Sequence, residues 1–202
     1  MKGFRIDTNE NSNRYGKYNI EDKENYRSIF TVISGAYYHE NYHSDILSYY
    51  LEFNDAKSSF IKWVNNLKND KNKIIFQDYI NGKILREKRK IDILLLNNNE
   101  TKGIIIENKS NNAVDQADQI YRYYKEISEE KLEVEAIVYL NKNALKLPKL
   151  SEEKLAEINN ILVKAQLVGQ NNSFEDVLND VIRTTENIRL NALSCEIKNL
   201  FL

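Results

Sequence analysis

The chain has 202 residues, 29 basic against 30 acidic side chains, a net charge of −1 and 42% hydrophobic residues, enough for one substantial core but not for a second full domain. A single cysteine, Cys195, excludes an intramolecular disulfide and a cysteine-built zinc site, and it fits a reducing compartment. No apolar stretch reaches transmembrane length and residues 1–23 have no apolar signal core, so a cytoplasmic protein without membrane association is expected.

Residues 1–20, rich in Asn, Lys and Gly and without periodicity, read as a loosely ordered arm before a single domain spanning residues 21–202. Tyr26, Ile29, Phe30 and Ile33 share one side of an expected helix over residues 20–38. Ile46, Leu47, Tyr50 and Leu51 recur at helical spacing behind Ser44, a residue able to cap a helix. After the polar break at Asn54 and Asp55, Phe60, Ile61, Trp63, Val64 and Leu67 continue in helical phase. Residues 73–80 alternate imperfectly and predict a strand, turned by Asn81-Gly82 into a second strand over residues 84–96 that breaks in its basic half. A third strand is expected over residues 102–109, a helix over 113–127 and a buried strand over 134–140. Beyond Pro148, the only proline, the pattern gives a helix over residues 152–161, an edge strand over 162–168 and one long amphipathic helix over 174–202. Tyr49, Tyr50 and Tyr124 are placed to fill the core and its margins. The expected class is α/β, a central mixed sheet flanked by helices.

The chemistry concentrates in the second and third strands. One runs Lys90-Ile91-Asp92-Ile93-Leu94-Leu95-Leu96, and the other Gly103-Ile104-Ile105-Ile106-Glu107-Asn108-Lys109. Successive strand side chains point to opposite faces, so Glu107 and Lys109 share a face and Asn108 points away. If the strands pair, Asp92 reaches the same spot. Two carboxylates beside an ammonium are costly to hold out of water, and a divalent cation offsets that cost. Glu-x-Lys by itself is uninformative, since it recurs at Glu21–Lys23, Glu129–Lys131, Glu152–Lys154 and Glu196–Lys198. Only Glu107–Lys109 ends a β-branched apolar run beside a second run bearing a carboxylate. The competing reading is an exposed strand end with an ordinary ion pair, worth roughly 0–1 kcal/mol.

A helix opening Ala113-Val114-Asp115-Gln116-Ala117-Asp118-Gln119-Ile120-Tyr121-Arg122-Tyr123-Tyr124 follows, and Glu40-Asn41-Tyr42-His43-Ser44-Asp45 precedes. Together with Asp92 and Glu107-Asn108-Lys109, these segments resemble the PD-(D/E)XK nuclease superfamily. The likeness is to its bacterial branch with Arg-Ile-Asp-Ile, Ile-Glu-Asn-Lys and a Gln-rich helix, and it covers roughly residues 40–140. That resemblance implies a restriction-endonuclease-like sandwich and a metal-dependent nuclease acting on DNA, with RNA as the other candidate substrate. By it, Asp92 and Glu107 hold Mg²⁺ or Mn²⁺ with the carbonyl of Asn108, Lys109 assists the attacking water, and Glu40 completes the outer shell. Gln116, Gln119 and Tyr123, at i, i+3 and i+7, share one helix face, either as substrate-contacting or site-supporting residues or as a polar surface whose other face, Ile120, Tyr124 and Ile127, packs on the sheet. His43 could serve as a base near neutrality; beside a capping serine, a structural hydrogen bond is the stronger expectation.

Two features depart from the branch pattern. Lys90 stands where it has Arg, and residues 52–60 lack its proline and His-Gly. The rival reading is a non-catalytic nuclease-fold module that binds nucleic acid or a protein. Most duplex binders carry a basic excess, which this chain lacks outside the local run Lys83, Arg86, Lys88, Arg89 and Lys90. A protein partner or a homo-oligomer would supply substrate affinity that the overall charge does not.

Overall fold

A computed structural model describes residues 4–6, 18–20, 30, 40–110, 116–142, 147–169 and 172–201. Strands β1 (Phe4–Ile6) and β2 (Tyr18–Ile20) pair antiparallel within the N-terminal arm. The helix expected over residues 20–38 lies almost wholly outside the described residues.

Five strands make the central sheet: β3 (Ile84–Arg86), β4 (Ile93–Leu96), β5 (Lys102–Lys109), β6 (Glu133–Asn141) and β7 (Leu162–Gln166), in spatial order β3-β4-β5-β6-β7. The pairings β3–β4 and β4–β5 are antiparallel, whereas β5–β6 and β6–β7 are parallel. Helices α1 (Glu40–Glu52), α2 (Asn54–Leu67), α3 (Gln119–Glu129), α4 (Glu152–Ile158), α5 (Phe174–Thr184) and α6 (Ile188–Phe201) flank it. The parallel pairing of β5 with β6 requires a crossover, which α3 supplies.

Strand alternation sorts the core into two layers. Ile93, Leu95, Ile104, Ile106, Val138 and Leu140 face Tyr50, Phe60, Trp63 and Phe174 of α1, α2 and α5. Leu94, Ile105, Ile137 and Tyr139 face Ile120, Tyr123 and Ile127 of α3. Both faces are covered, which is why β4 reads as an uninterrupted apolar run rather than an alternating one. On α3 the apolar residues recur at three- and four-residue spacing, and burying Ile120 and Ile127 contributes roughly 2 kcal/mol each.

Several sequence expectations are corrected. Residues 73–80 form no strand; Phe76–Asp78 is a short 3-10 turn. Short-range backbone bonds and side chains, not a ladder, satisfy its backbone. Asn65 both donates to and accepts from Ile74, Asn98 donates to the Gln77 carbonyl, and buried Lys57 donates to the carbonyls of Tyr79 and Ile80. Asn81-Gly82 does turn the chain, with Gly82 N–H donating to the Tyr79 carbonyl at 3.0 Å. The hairpin lies one step later. Glu87, Arg89 and Lys90 adopt left-handed backbone (φ 54°, 55° and 65°), folding the predicted second strand back on itself so that β3 pairs with β4.

The α3 helix starts at Gln119, later than expected, and Ala113 to Asp115 fall outside the described residues. The expected C-terminal helix is two, broken after Thr184. Thr185 donates its hydroxyl to Asp55 at 2.6 Å, and the Asn187 side chain accepts from the N–H groups of Arg189 and Leu190, starting a new helix. Ser44 caps nothing: α1 has begun by Glu40, which leaves Ser44 in its interior. Tyr50 is fully buried as expected, but Tyr49 is 54% exposed.

Candidate active site

The strand β5 is apolar through Ile104, Ile105 and Ile106 and then turns polar without leaving the interior. Glu107, Asn108 and Lys109 are 1%, 0% and 5% exposed. Ile93 lies opposite Ile106 in the antiparallel register, so Asp92, just before β4, comes beside Glu107. The backbone N–H of Asn108 donates to Asp92 Oδ2 at 2.8 Å. Lys109 Nζ lies 2.5 Å from Glu107 Oε1, with both side chains almost fully buried. Asp92, Glu107 and Lys109 thus meet on the α3 face at one end of the two central strands.

Burial raises the Asp92 carboxyl above its ordinary pKa, and Glu87 adds to the shift. The Asn108 N–H and the charges of Lys109 and Arg86 oppose it without cancelling it. From α3, Gln119 donates its side-chain amide to the Tyr123 hydroxyl at 2.8 Å. Burial raises the Tyr123 phenol, and the charges of Glu107 and Asp92 raise it further, so the phenol lies within electrostatic reach of the carboxylates.

On the reverse face of β5, Asn108 donates its side-chain amide to Ser44 Oγ at 3.0 Å, and His43 Nδ1 lies 2.6 Å from Ser110 Oγ. Arg86 reaches from β3 to α1, donating to Asp45 Oδ1 at 2.8 Å and to the Asn41 carbonyl at 3.3 Å.

Of the residues singled out in the sequence, Asp92, Glu107, Asn108 and Lys109 come together, and Tyr123 and Gln119 stand over them from α3. Gln116 does not join them. It precedes the helix, is exposed, and accepts from Arg122 on the surface, so the shared face proposed for Gln116, Gln119 and Tyr123 is reduced to the last two. His43 is buried behind the strand, its Nδ1 2.6 Å from Ser110 Oγ. The backbone of Glu40 opens α1 as the visible part of the motif, and its side chain lies outside what is described.

Sequence reasoning gave no site role to Ser44, Ser110 or Arg86. The period-2 rule carried a signal for one of them, because it puts Ser110 on the same face as Asn108. Which helix would cover that face is a tertiary matter.

Among the described residues no group of three or more His, Cys, Asp or Glu side chains is gathered to hold a metal. Asp92, Glu107 and the Asn108 carbonyl would offer two carboxylates and one neutral oxygen from adjacent strands. That set suits Mg²⁺, which takes one or two carboxylates and fills its remaining positions with water and substrate phosphate. No helix among the described residues is long and apolar enough to cross a membrane.

The family model of the PD-(D/E)XK nuclease superfamily matches residues 27–185. The chain belongs to that superfamily. Comparison with curated proteins gives no match, and comparison with solved structures gives none. The mixed five-stranded sheet between helical layers is the restriction-endonuclease-like architecture of PD-(D/E)XK proteins.

Proposed function

We propose that this protein is a metal-dependent nuclease that hydrolyses phosphodiester bonds in DNA. The observation that supports this most is the buried Glu107–Lys109 pair with Asp92 beside it. A buried ion pair is weak evidence for stability, because hydrophobic replacements of similar volume are often neutral or better. A buried ion pair at the end of two apolar strands, beside a third charge, is better explained by chemistry than by stability.

In this reading Asp92, Glu107 and the Asn108 carbonyl would hold Mg²⁺ or Mn²⁺. The ion, when bound, lowers the pKa of a water and withdraws charge from the scissile phosphate. The Asn108 N–H fixes one oxygen of the Asp92 carboxylate. Lys109, shielded from bulk water, orients the attacking water and stabilises negative charge developing on the phosphate, where a preorganised ammonium acts most strongly. Tyr123, steadied by Gln119, bounds the site from α3 and offers its hydroxyl to the substrate backbone. By the family resemblance Glu40, at the start of α1, would complete the outer shell, and His43 acts from behind the strand rather than as a base.

A non-catalytic binding module on the same scaffold is the second reading, favoured by the net charge of −1, which lacks the basic excess of most duplex binders. The deciding experiment incubates purified protein with supercoiled plasmid, single-stranded DNA and RNA, each with Mg²⁺, Mn²⁺ or EDTA. Asp92→Asn, checked for a native circular dichroism spectrum, controls for contamination. Metal-dependent DNA cleavage lost in Asp92→Asn is expected. Cleavage of RNA alone would reassign the substrate, and no cleavage by well-folded protein would favour the binding module.

A further inference from the structure

The end of β5 is held from behind by two consecutive residues of one helix. Lys109 points to the α3 face, and its chain neighbours Asn108 and Ser110 point to the α1 face. Each neighbour meets an α1 side chain, Asn108 with Ser44 and Ser110 with His43. Ser44, Asn108, His43 and Ser110 are at most 4% exposed, so none of these contacts is diluted by bulk water.

The hold falls where the ladder to β4 ends. The β4–β5 ladder ends at the Ile93–Ile106 pair, and beyond it the Asn108 N–H donates to the side chain of Asp92. On the other side the ladder to β6 reaches Lys109 opposite Asn141. A small rotation of the Asn108 peptide would move its N–H, its carbonyl and both flanking side chains together.

We infer that Ser44 and His43 are positioning residues for the proposed metal site: by gripping Asn108 and Ser110 from the reverse face, they fix the Asn108 peptide and, through it, the orientation of Asp92, Glu107 and Lys109. The inference rests on the nuclease reading for the identity of the site. It adds that the site's geometry is set by α1, which contributes no ligand through these residues. Side chains that orient ligands without touching the metal typically change metal affinity 10- to 100-fold when removed.

The test measures Mn²⁺ binding by titration calorimetry on the full chain, alongside melting temperature. Ser44→Ala is expected to weaken Mn²⁺ binding by about tenfold or more. Ser110→Ala is expected to weaken it in the same direction. Ser194→Ala controls for mere destabilisation, since it removes a buried hydroxyl 3.0 Å from Tyr50 between helices of the same layer, and it should melt lower with unchanged Mn²⁺ affinity. If Ser44 acts through Asn108, adding Ser44→Ala to Asn108→Ala weakens binding no further. Wild-type affinity in Ser44→Ala would overturn the inference, as would equal weakening in Ser194→Ala or full additivity of the double variant. Absence of saturable Mn²⁺ binding by the wild type would overturn it too. Should the wild type bind Mn²⁺ yet cleave no nucleic acid, the nuclease reading falls and the affinity ratios still decide the role of Ser44.

Discussion

The peptide N–H of Asn108 donates to Asp92 Oδ2 across 2.8 Å, so the residue between Glu107 and Lys109 orients the carboxylate of the neighbouring strand. That bond is favourable for the ionised carboxylate, but burial outweighs it and leaves the Asp92 pKa raised.

The raised value has a sign that can be worked through. A carboxyl whose folded pKa exceeds its unfolded pKa contributes stability below the unfolded value, and loses that contribution as pH rises through the folded value. At neutral pH without metal, ionised Asp92 therefore costs stability. Asp92→Asn is expected to melt at a higher temperature than wild type at pH 7 in EDTA, with the gap closing as pH falls toward the ordinary carboxylate range, and to show no cleavage. Melting curves from pH 3.5 to 7 check this; a lower melting temperature for Asp92→Asn at pH 7 would contradict it.

Glu107 and Lys109 make an ion pair with side chains 1% and 6% exposed. Removing one partner of such a pair typically costs about 3–5 kcal/mol, while replacing both with apolar groups is often neutral. Lys109→Met is expected to lose stability on that scale and to be inactive. The double variant Glu107→Leu, Lys109→Met should recover most of the stability and none of the activity. Urea denaturation of the three proteins separates these outcomes.

A Cβ on Gly82 would lie 1.9 Å from the Leu96 carbonyl oxygen, which belongs to the backbone and cannot swing aside. Gly82→Ala is expected to cost more than about 1 kcal/mol, the scale of an incompatible glycine replacement. The loss would show as a lower urea midpoint with an unchanged slope. A neutral result would mean that the end of β4 can shift.

Asn187 caps α6 by accepting from the N–H groups of Arg189 and Leu190. Asn187→Ala should cost about 1 kcal/mol, the usual value of such a cap. Its N–H and side-chain hydrogen bonds are to Thr185, Arg189 and Leu190, so nucleic-acid cleavage per folded molecule should be unaffected.

Some of this was legible in the sequence because it depends on local period alone. Alternation put Glu107 and Lys109 on one face and Asn108 on the other, and the apolar runs marked β4, β5 and β6 as buried strands. Helical spacing located α1 through Tyr50 and α3 through Ile120 and Ile127. Where the sequence misled, longer-range partners decided. Residues 73–80 alternate like a strand, yet Asn65, Lys57 and Asn98 satisfy their backbone and leave no ladder to join. Periodicity continued through Thr185, but a hydroxyl bond to Asp55, 130 residues away in the chain, ends the helix there.

The site divides in the same way. The chain order of Asp92, Glu107 and Lys109 determined which residues carry the charge, since strand pairing at matched apolar runs leaves them little choice of position. Only the tertiary structure decided that His43 and Ser44 stand behind the strand, that Gln116 lies off the α3 face, and that Asp92 is held by a backbone N–H. Those are contacts between elements far apart in sequence, set by how layers pack, and a local period has no term for them.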